Sequence, residues 1–336
     1  MTRRRPINRS QRSLRRPARE RYAVRKVGFD SDGTRARGSL YLPDRTDTAP
    51  VVVMAPGLGA ERSFGYPAVA ERFAEAGYAA FLFDYRHHGE SDGHPRRLVS
   101  PSKQLADYDA AVDRVRGIDE VDAGRVAVWG HSLSGGHALV TAADRSDVRA
   151  VVAIAPYTDG RVFLRTRPAG YVTRATLVGA RDALGGVRDR LRRRLPGGTG
   201  AEARGSGRAR QVPIVGDADR LAVITEQGTK RPYLDLVDRN SEWENATPAR
   251  CLLDLVRYRP GERFADVDVD TFVFVPENDR ILPPSRMTAA VGSLDRATVV
   301  RAPADHFSVL AEDFEETVAY QLAFLNRAVG KPQRFR

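Results

Sequence analysis

Cysteine is nearly absent from this sequence: Cys251 is the only one in 336 residues. A single thiol forms no intramolecular disulfide and no cysteine-based metal cluster. Long apolar runs are missing too. No stretch approaches the roughly 18 uninterrupted apolar residues that a membrane-spanning helix needs, which excludes one. No internal repeat is present. What remains is the composition of a folded chain: 42% hydrophobic and 29% charged residues exclude wholesale disorder. The length suits one large α/β domain carrying an insertion, or two domains.

The net charge of +11 invites a nucleic-acid reading, but ten of those charges sit in residues 1–26, which hold eleven basic groups and the single acid Glu20. The rest of the chain is nearly neutral, apart from an Arg/Gly-rich run over Gly185–Arg210. The N-terminal segment lacks an apolar core, and its Arg15-Arg16 pair leads into Pro17-Ala18-Arg19-Glu20, so neither a secretory nor a twin-arginine signal is indicated. Three readings stay open: a solvated disordered tail over residues 1–21, an arm for nucleic acid or another anionic surface, or a translation start set too far upstream. Tyr22 is the one aromatic in the segment, so base stacking has little to work with. The expected localisation is cytoplasmic.

Folded structure is expected from Tyr22. Tyr22–Phe29 and Arg37–Leu42 are strand-like and flank the turn-rich Asp30-Ser31-Asp32-Gly33-Thr34, which predicts a hairpin. An alternation follows: strand 51–54, helix 66–76 closed by Gly77, strand 79–83, helix 105–115, strand 125–129, helix 133–143 and strand 150–155. Later come strands 270–275 and 297–300 and a closing helix 314–328. This predicts an α/β fold with a mostly parallel sheet of about eight strands, wrapped on both faces. Between Gly160 and Ala249 the rhythm breaks for too long to be an ordinary connection. The division expected is core over 22–160, an inserted cap over 161–249, and core again over 250–330, with disorder confined to about Pro196–Gln211.

The most informative residues are Val126-Ala127-Val128-Trp129-Gly130-His131-Ser132-Leu133-Ser134-Gly135-Gly136. A strand runs into small-x-Ser-x-small and then a helix, the pattern of a nucleophile on a sharp, strained turn that larger neighbours two positions away would obstruct. Ser134 stands where glycine is usual, and it opens a competing register on Ser134 itself. Ser132 is preferred because Gly130 and the strand stand directly behind it. The helix N-terminus favours developing negative charge.

With this elbow, Ala55-Pro56-Gly57-Leu58-Gly59 after strand 51–54, Phe83-Asp84-Tyr85-Arg86-His87-His88-Gly89 after strand 79–83, Pro276-Glu277-Asn278-Asp279 and Ala304-Asp305-His306-Phe307, the chain over 22–330 resembles an α/β-hydrolase of the dienelactone-hydrolase-like or bacterial serine esterase/peptidase-like branch. In that family's chain order the acid and histidine follow the serine. The resemblance therefore implies a triad of Ser132, Asp279 and His306, with backbone N–H groups of Leu58 and Leu133 as the oxyanion hole. Many relatives carry His-Gly where this chain has Pro56-Gly57, which puts the loop geometry in question.

Competing residues are weighed beside these. Asp159 follows strand 150–155, where some relatives place the acid; Glu277 and Asp305 are nearby carboxylates at the wrong spacing. His87, His88 and His94 near Asp84 and Asp92 lack metal-site spacing and read as loop or cleft residues. His137 reads as a packing histidine, and Cys251 as buried. Arg161, Arg165 and Arg167 open the insertion either as solvated arginines or as partners of an anionic acyl or carrier group. The function expected is a serine hydrolase for a carboxylic ester or thioester, free or linked to a carrier or CoA, with no metal and no cofactor. An acyltransferase, a C–C bond hydrolase or a peptidase on the same residues is the alternative. An anionic-partner binding protein using the tail is the rival of a different class. Oligomeric state is not readable.

Overall fold

The computed structural model describes residues 22–44, 48–194 and 209–330. The tail over 1–21 and residues 196–208 of the expected disordered run therefore lie outside the described residues. The rest of that run, residues 209–211, is described, and Gln211 begins a strand.

Strands β1 (Tyr22–Ser31) and β2 (Thr34–Pro43) form the expected hairpin, paired from Ser31↔Thr34 outward. Its two-residue turn needs positive φ at both positions, and Asp32 (46°) and Gly33 (72°) supply it. The buried runs follow: β3 (Ala49–Ala55), helix α1 (Tyr66–Glu75), β4 (Ala79–Asp84), α2 (Pro101–Arg116), β5 (Val121–His131), α3 (Leu133–Asp144) and β6 (Ala150–Ile154). Helix α2 starts four residues earlier than apolar spacing predicts, with Pro101 in its first turn, where a missing N–H costs nothing.

The sheet has eight strands in the order β1-β2-β4-β3-β5-β6-β9-β10, where β9 is Asp270–Pro276 and β10 is Ala297–Ala302. The first two pairings, β1 with β2 and β2 with β4, are antiparallel; the others are parallel. Helices α1 and α9 (Phe314–Ala328) share one face, joined by the Arg72–Glu315 ion pair, while α2 and α3 share the other. From β3 the chain steps to one side for β4, then returns to the other side for β5. Strand order reverses at this point, which opens a crevice at the carboxyl ends of β3 and β5.

Residues 161–249 leave the sheet between β6 and β9. They hold α4 (Arg161–Thr166), the long α5 (Ala169–Arg194), a two-stranded pair of β7 (Gln211–Val212) and β8 (Thr247–Pro248), and α6 (Lys230–Asp235). Helix α7 (Cys251–Arg257) returns the chain, and α8 (Pro284–Val291), not anticipated from the sequence, lies between β9 and β10. Asp182 of α5 is buried. Its carboxylate accepts from the backbone N–H groups of Arg210 and Arg250 and pairs with the Arg250 guanidinium at 2.6 Å, tying α5 to the residues that lead into β7 and α7. Arg167 pairs with Glu226 at 2.5 Å and lies against the rings of Phe163 and Tyr171, so it serves the insertion's own packing.

Two loops that border the crevice share one buried carboxylate. Asp84, at the end of β4, accepts the N–H of Arg62 at 2.8 Å and that of Glu90 at 3.2 Å, and faces the Arg62 guanidinium at 3.6 Å. Gly89 sits so close that a Cβ there would come within 2.3 Å of the carboxylate. Burial pushes the Asp84 carboxyl upward and Arg62 opposes the shift. Asp84→Ala is expected to lower unfolding free energy by about 1–3 kcal/mol, because it removes the acceptor of two partly buried N–H groups and leaves the largely buried Arg62 guanidinium with Glu90 alone, at 2.7 Å. Denaturant titration measures this.

Candidate active site

Ser132 stands where β5 becomes α3, in a backbone conformation (φ 60°, ψ −121°) that non-glycine residues rarely adopt. The turn is held from several sides. Its N–H donates to Ile154, and its C=O accepts from Gly135, Gly136 and Tyr157. Gly130 is compulsory: a Cβ there would lie 1.9 Å from the Ser134 carbonyl oxygen. The side chain of Ser134 makes the competing register untenable, because its hydroxyl receives the Tyr85 O–H at 2.6 Å and donates to the Pro56 carbonyl.

Ser132, His306 and Asp279 are joined in one line. The Ser132 Oγ is 2.8 Å from His306 Nε2, and His306 Nδ1 is 2.6 Å from Asp279 Oδ2. A carboxylate only accepts, so Nδ1 carries the proton and Nε2 faces the hydroxyl as an acceptor. The other oxygen, Asp279 Oδ1, accepts the N–H groups of Ile281 (2.8 Å) and Leu282 (2.9 Å), which fixes the carboxylate's orientation. All three residues are at most 9% exposed.

The loop after β3 runs beside Ser132. A Cβ on Gly57 would meet the Ser132 Cβ at 3.3 Å, the His131 carbonyl at 3.2 Å and the Tyr66 hydroxyl at 3.2 Å. Each successive residue is pinned by a different side chain. The Gly57 N–H donates to Tyr66 Oη (2.9 Å), the Leu58 carbonyl accepts from Tyr233 (3.0 Å) and the Gly59 carbonyl from Trp243 Nε1 (2.8 Å). Tyr233 and Trp243 belong to the insertion. Gly59 has a positive φ of 65° and lies against Ile214, again from the insertion. The N–H groups of Leu58 and Leu133 have no hydrogen-bond partner among the described residues.

His131 was not among the residues singled out from the sequence. Its Nε2 lies 2.9 Å from the His306 carbonyl oxygen, so Nε2 carries the proton. That leaves Nδ1 to accept from Tyr66 Oη at 3.4 Å. A buried line of hydrogen bonds thus runs from Gly57 through Tyr66 and His131 to the backbone of His306. Burial, and secondarily the neighbouring His306, push His131 down to about 3. It stays neutral beside the Ser132–His306 pair.

The competing carboxylates are engaged by other partners. Asp159 accepts the Arg161 N–H and faces Arg259 at 3.5 Å; Glu277 pairs with Arg301; Asp305 accepts the N–H groups of Phe307 and Ser308. Among the described residues no group of three or more histidine, cysteine or acidic side chains could hold a metal. His137 is buried as expected but is hydrogen-bonded to Tyr258 and Gln104 rather than merely packed, and Cys251 is buried. A cavity of about 190 Å³ lies beside His306, lined also by Thr229, Pro232, Arg280, Asp305 and Phe307. No helix among the described residues is long and apolar enough to cross a membrane.

The chain belongs to the α/β-hydrolase family of enzymes. Residues 46–194 match the family described as serine aminopeptidase, S33. The chain is 33% identical over 307 residues to the quorum-quenching protein AidA of Acinetobacter baumannii, covering 90% of this chain and 94% of that one. It is 24% identical over 335 residues to a thiohydrolase of Eupenicillium brefeldianum, covering 94% and 98% respectively. The solved structure of DcsB in complex with its substrate analogue superposes with a TM-score of 0.75 at 23% identity, over 91% of this chain and 99% of that one.

Two outcomes follow from these buried groups. Tyr66→Phe leaves the Gly57 N–H without its acceptor, and should lower stability by about 1–3 kcal/mol in denaturant titrations. It should also slow turnover about tenfold with little change in KM. The second outcome concerns acid. Burial holds His87, His131 and His137 down to about 3 and His88 to about 4. The unfolded chain protonates histidine near about pH 6.5, so unfolding takes up protons below that value and stability falls as pH drops. The carboxyls of Asp84 and Asp107, raised by burial, act in the opposite sense at lower pH, so the slope is best read between about pH 6.5 and 5.5. Denaturant midpoints should fall across this window, and less steeply in His137→Gln.

Proposed function

We propose that the protein hydrolyses a carboxylic ester or thioester through an acyl-Ser132 intermediate. The carrying observation is the continuous Ser132–His306–Asp279 hydrogen-bonded line at a positive-φ turn; the N–H groups of Leu58 and Leu133, without partners among the described residues, are the oxyanion donors in this reading. His306 Nε2 takes the Ser132 proton as Oγ attacks the carbonyl carbon. The two N–H groups stabilise the oxyanion, and each such donor is worth on the order of 3 kcal/mol in the transition state. Collapse expels the alcohol or thiol with the proton returned by His306. Water, deprotonated by His306, then attacks the acyl carbon and releases the carboxylic acid and free Ser132. Asp279 fixes the His306 tautomer and balances the imidazolium.

Residues 161–249 act in this reading as a cap that shapes the acyl site, since Tyr233 and Trp243 stand on the loop carrying Leu58. The cavity beside His306 offers room for one end of the substrate. The thiohydrolase relative makes acyl thioesters the substrates to compare first with simple esters.

Ser132→Ala is expected to abolish fluorophosphonate labelling and cut p-nitrophenyl ester turnover by at least about a thousandfold. Asp279→Asn should lower kcat by about four orders of magnitude with the fold intact. Labelling and turnover that survive in Ser132→Ala would overturn the assignment.

A further inference from the structure

Nine large apolar side chains are exposed among the described residues, and five of them lie on the consecutive helices α4 and α5: Leu164, Leu177, Leu184, Val187 and Leu191. The three α5 leucines are 53%, 61% and 58% exposed and recur every seven residues. Seven residues fall just short of two full turns, so they form a single ridge with a slow drift. Arg174, Arg181 and Arg188 recur at the same interval three residues earlier, forming an exposed ridge alongside. None of these arginines has a carboxylate partner among the described residues. Asp182, the acid that lies between Arg174 and Arg188 on this helix, is turned inward onto Arg250.

We propose that this face of α5 docks in the plane of an anionic phospholipid bilayer, the leucine ridge entering the headgroup boundary and the arginine ridge meeting lipid phosphates. Three features favour that occupant. The surface is a convex helix about 39 Å long, which suits a flat partner. Arg174, Arg181 and Arg188 have no carboxylate partner among the described residues, which suits an anionic one. A second copy is disfavoured, because pairing two such faces sets arginine ridge against arginine ridge. The basic residues 1–26 would add electrostatic attraction without contributing the apolar part. The proposal does not depend on the chemistry assigned to Ser132.

Flotation of the full chain with vesicles of equal phosphatidylglycerol and phosphatidylcholine, against phosphatidylcholine alone, tests it. Wild type is expected to float with the anionic vesicles only. Leu177→Ser/Leu184→Ser/Leu191→Ser and Arg174→Gln/Arg181→Gln/Arg188→Gln should each reduce partitioning about tenfold or more, with unchanged thermal unfolding. A dye attached at Leu184→Cys, with Cys251 buried and unreactive, should shift its emission to the blue on anionic vesicles. The proposal is overturned if wild type ignores those vesicles or if either triple variant binds like wild type, which would assign binding to the N-terminal segment. It is equally overturned if the dye is unmoved while the protein is vesicle-bound, or if the leucine variant instead loses self-association in sedimentation.

Discussion

The backbone turn at Ser132 constrains much of what surrounds it. A serine at φ 60° is unfavourable alone and persists because neighbours over-determine it. The carbonyl of Ser132 gathers three N–H donors, Gly130 leaves the space that the Ser134 carbonyl fills, and Gly136 lets the first turn of α3 approach Tyr157. The sheet order adds the other half. Because the strand order reverses between β3 and β5, this turn and the 56–60 loop face each other across one crevice, and β9 brings Asp279 to the same edge.

Much of this was legible in the sequence because it depends on local rules. Continuous apolar runs mark strands buried on both faces, Asp32-Gly33 marks the hairpin, and the residues around Ser132 mark the turn. Asp279 and His306 were reached through the chain order of the family the sequence resembles, and the structure places His306 within hydrogen-bonding distance of both Asp279 and Ser132. The parts missed are those that only long-range packing creates. Tyr66 and His131 are 65 residues apart, and His131 and His306 are 175 apart; a tyrosine in a helix and a histidine after a glycine carry no signal of joining one line. Ser134 stands where glycine is usual, and nothing local signals that its hydroxyl ties Tyr85 to Pro56. Helix α8 and the insertion's short elements have too little periodicity to be read.

Charge taught a similar lesson. The excess sits largely in the N-terminal segment and the Arg-rich part of the insertion, whereas the core uses its arginines in pairs. Arg62 faces Asp84, Arg86 faces Asp107 at 2.5 Å and Arg250 faces Asp182. These pairs fasten loops and the insertion to the sheet, and each is costly to break because its partner would remain buried.

Under the proposed function, the hydrogen bonds from Tyr233 and Trp243 to the carbonyls of Leu58 and Gly59 would make access and reactivity two readings of one equilibrium. Any displacement of the insertion that admits a bulky molecule also releases the strip of backbone beside Ser132. Such a molecule would be held with that strip released, and its reaction would wait for the strip to re-form. Discrimination between large and small substrates would then register in the rate of the chemical step as well as in affinity.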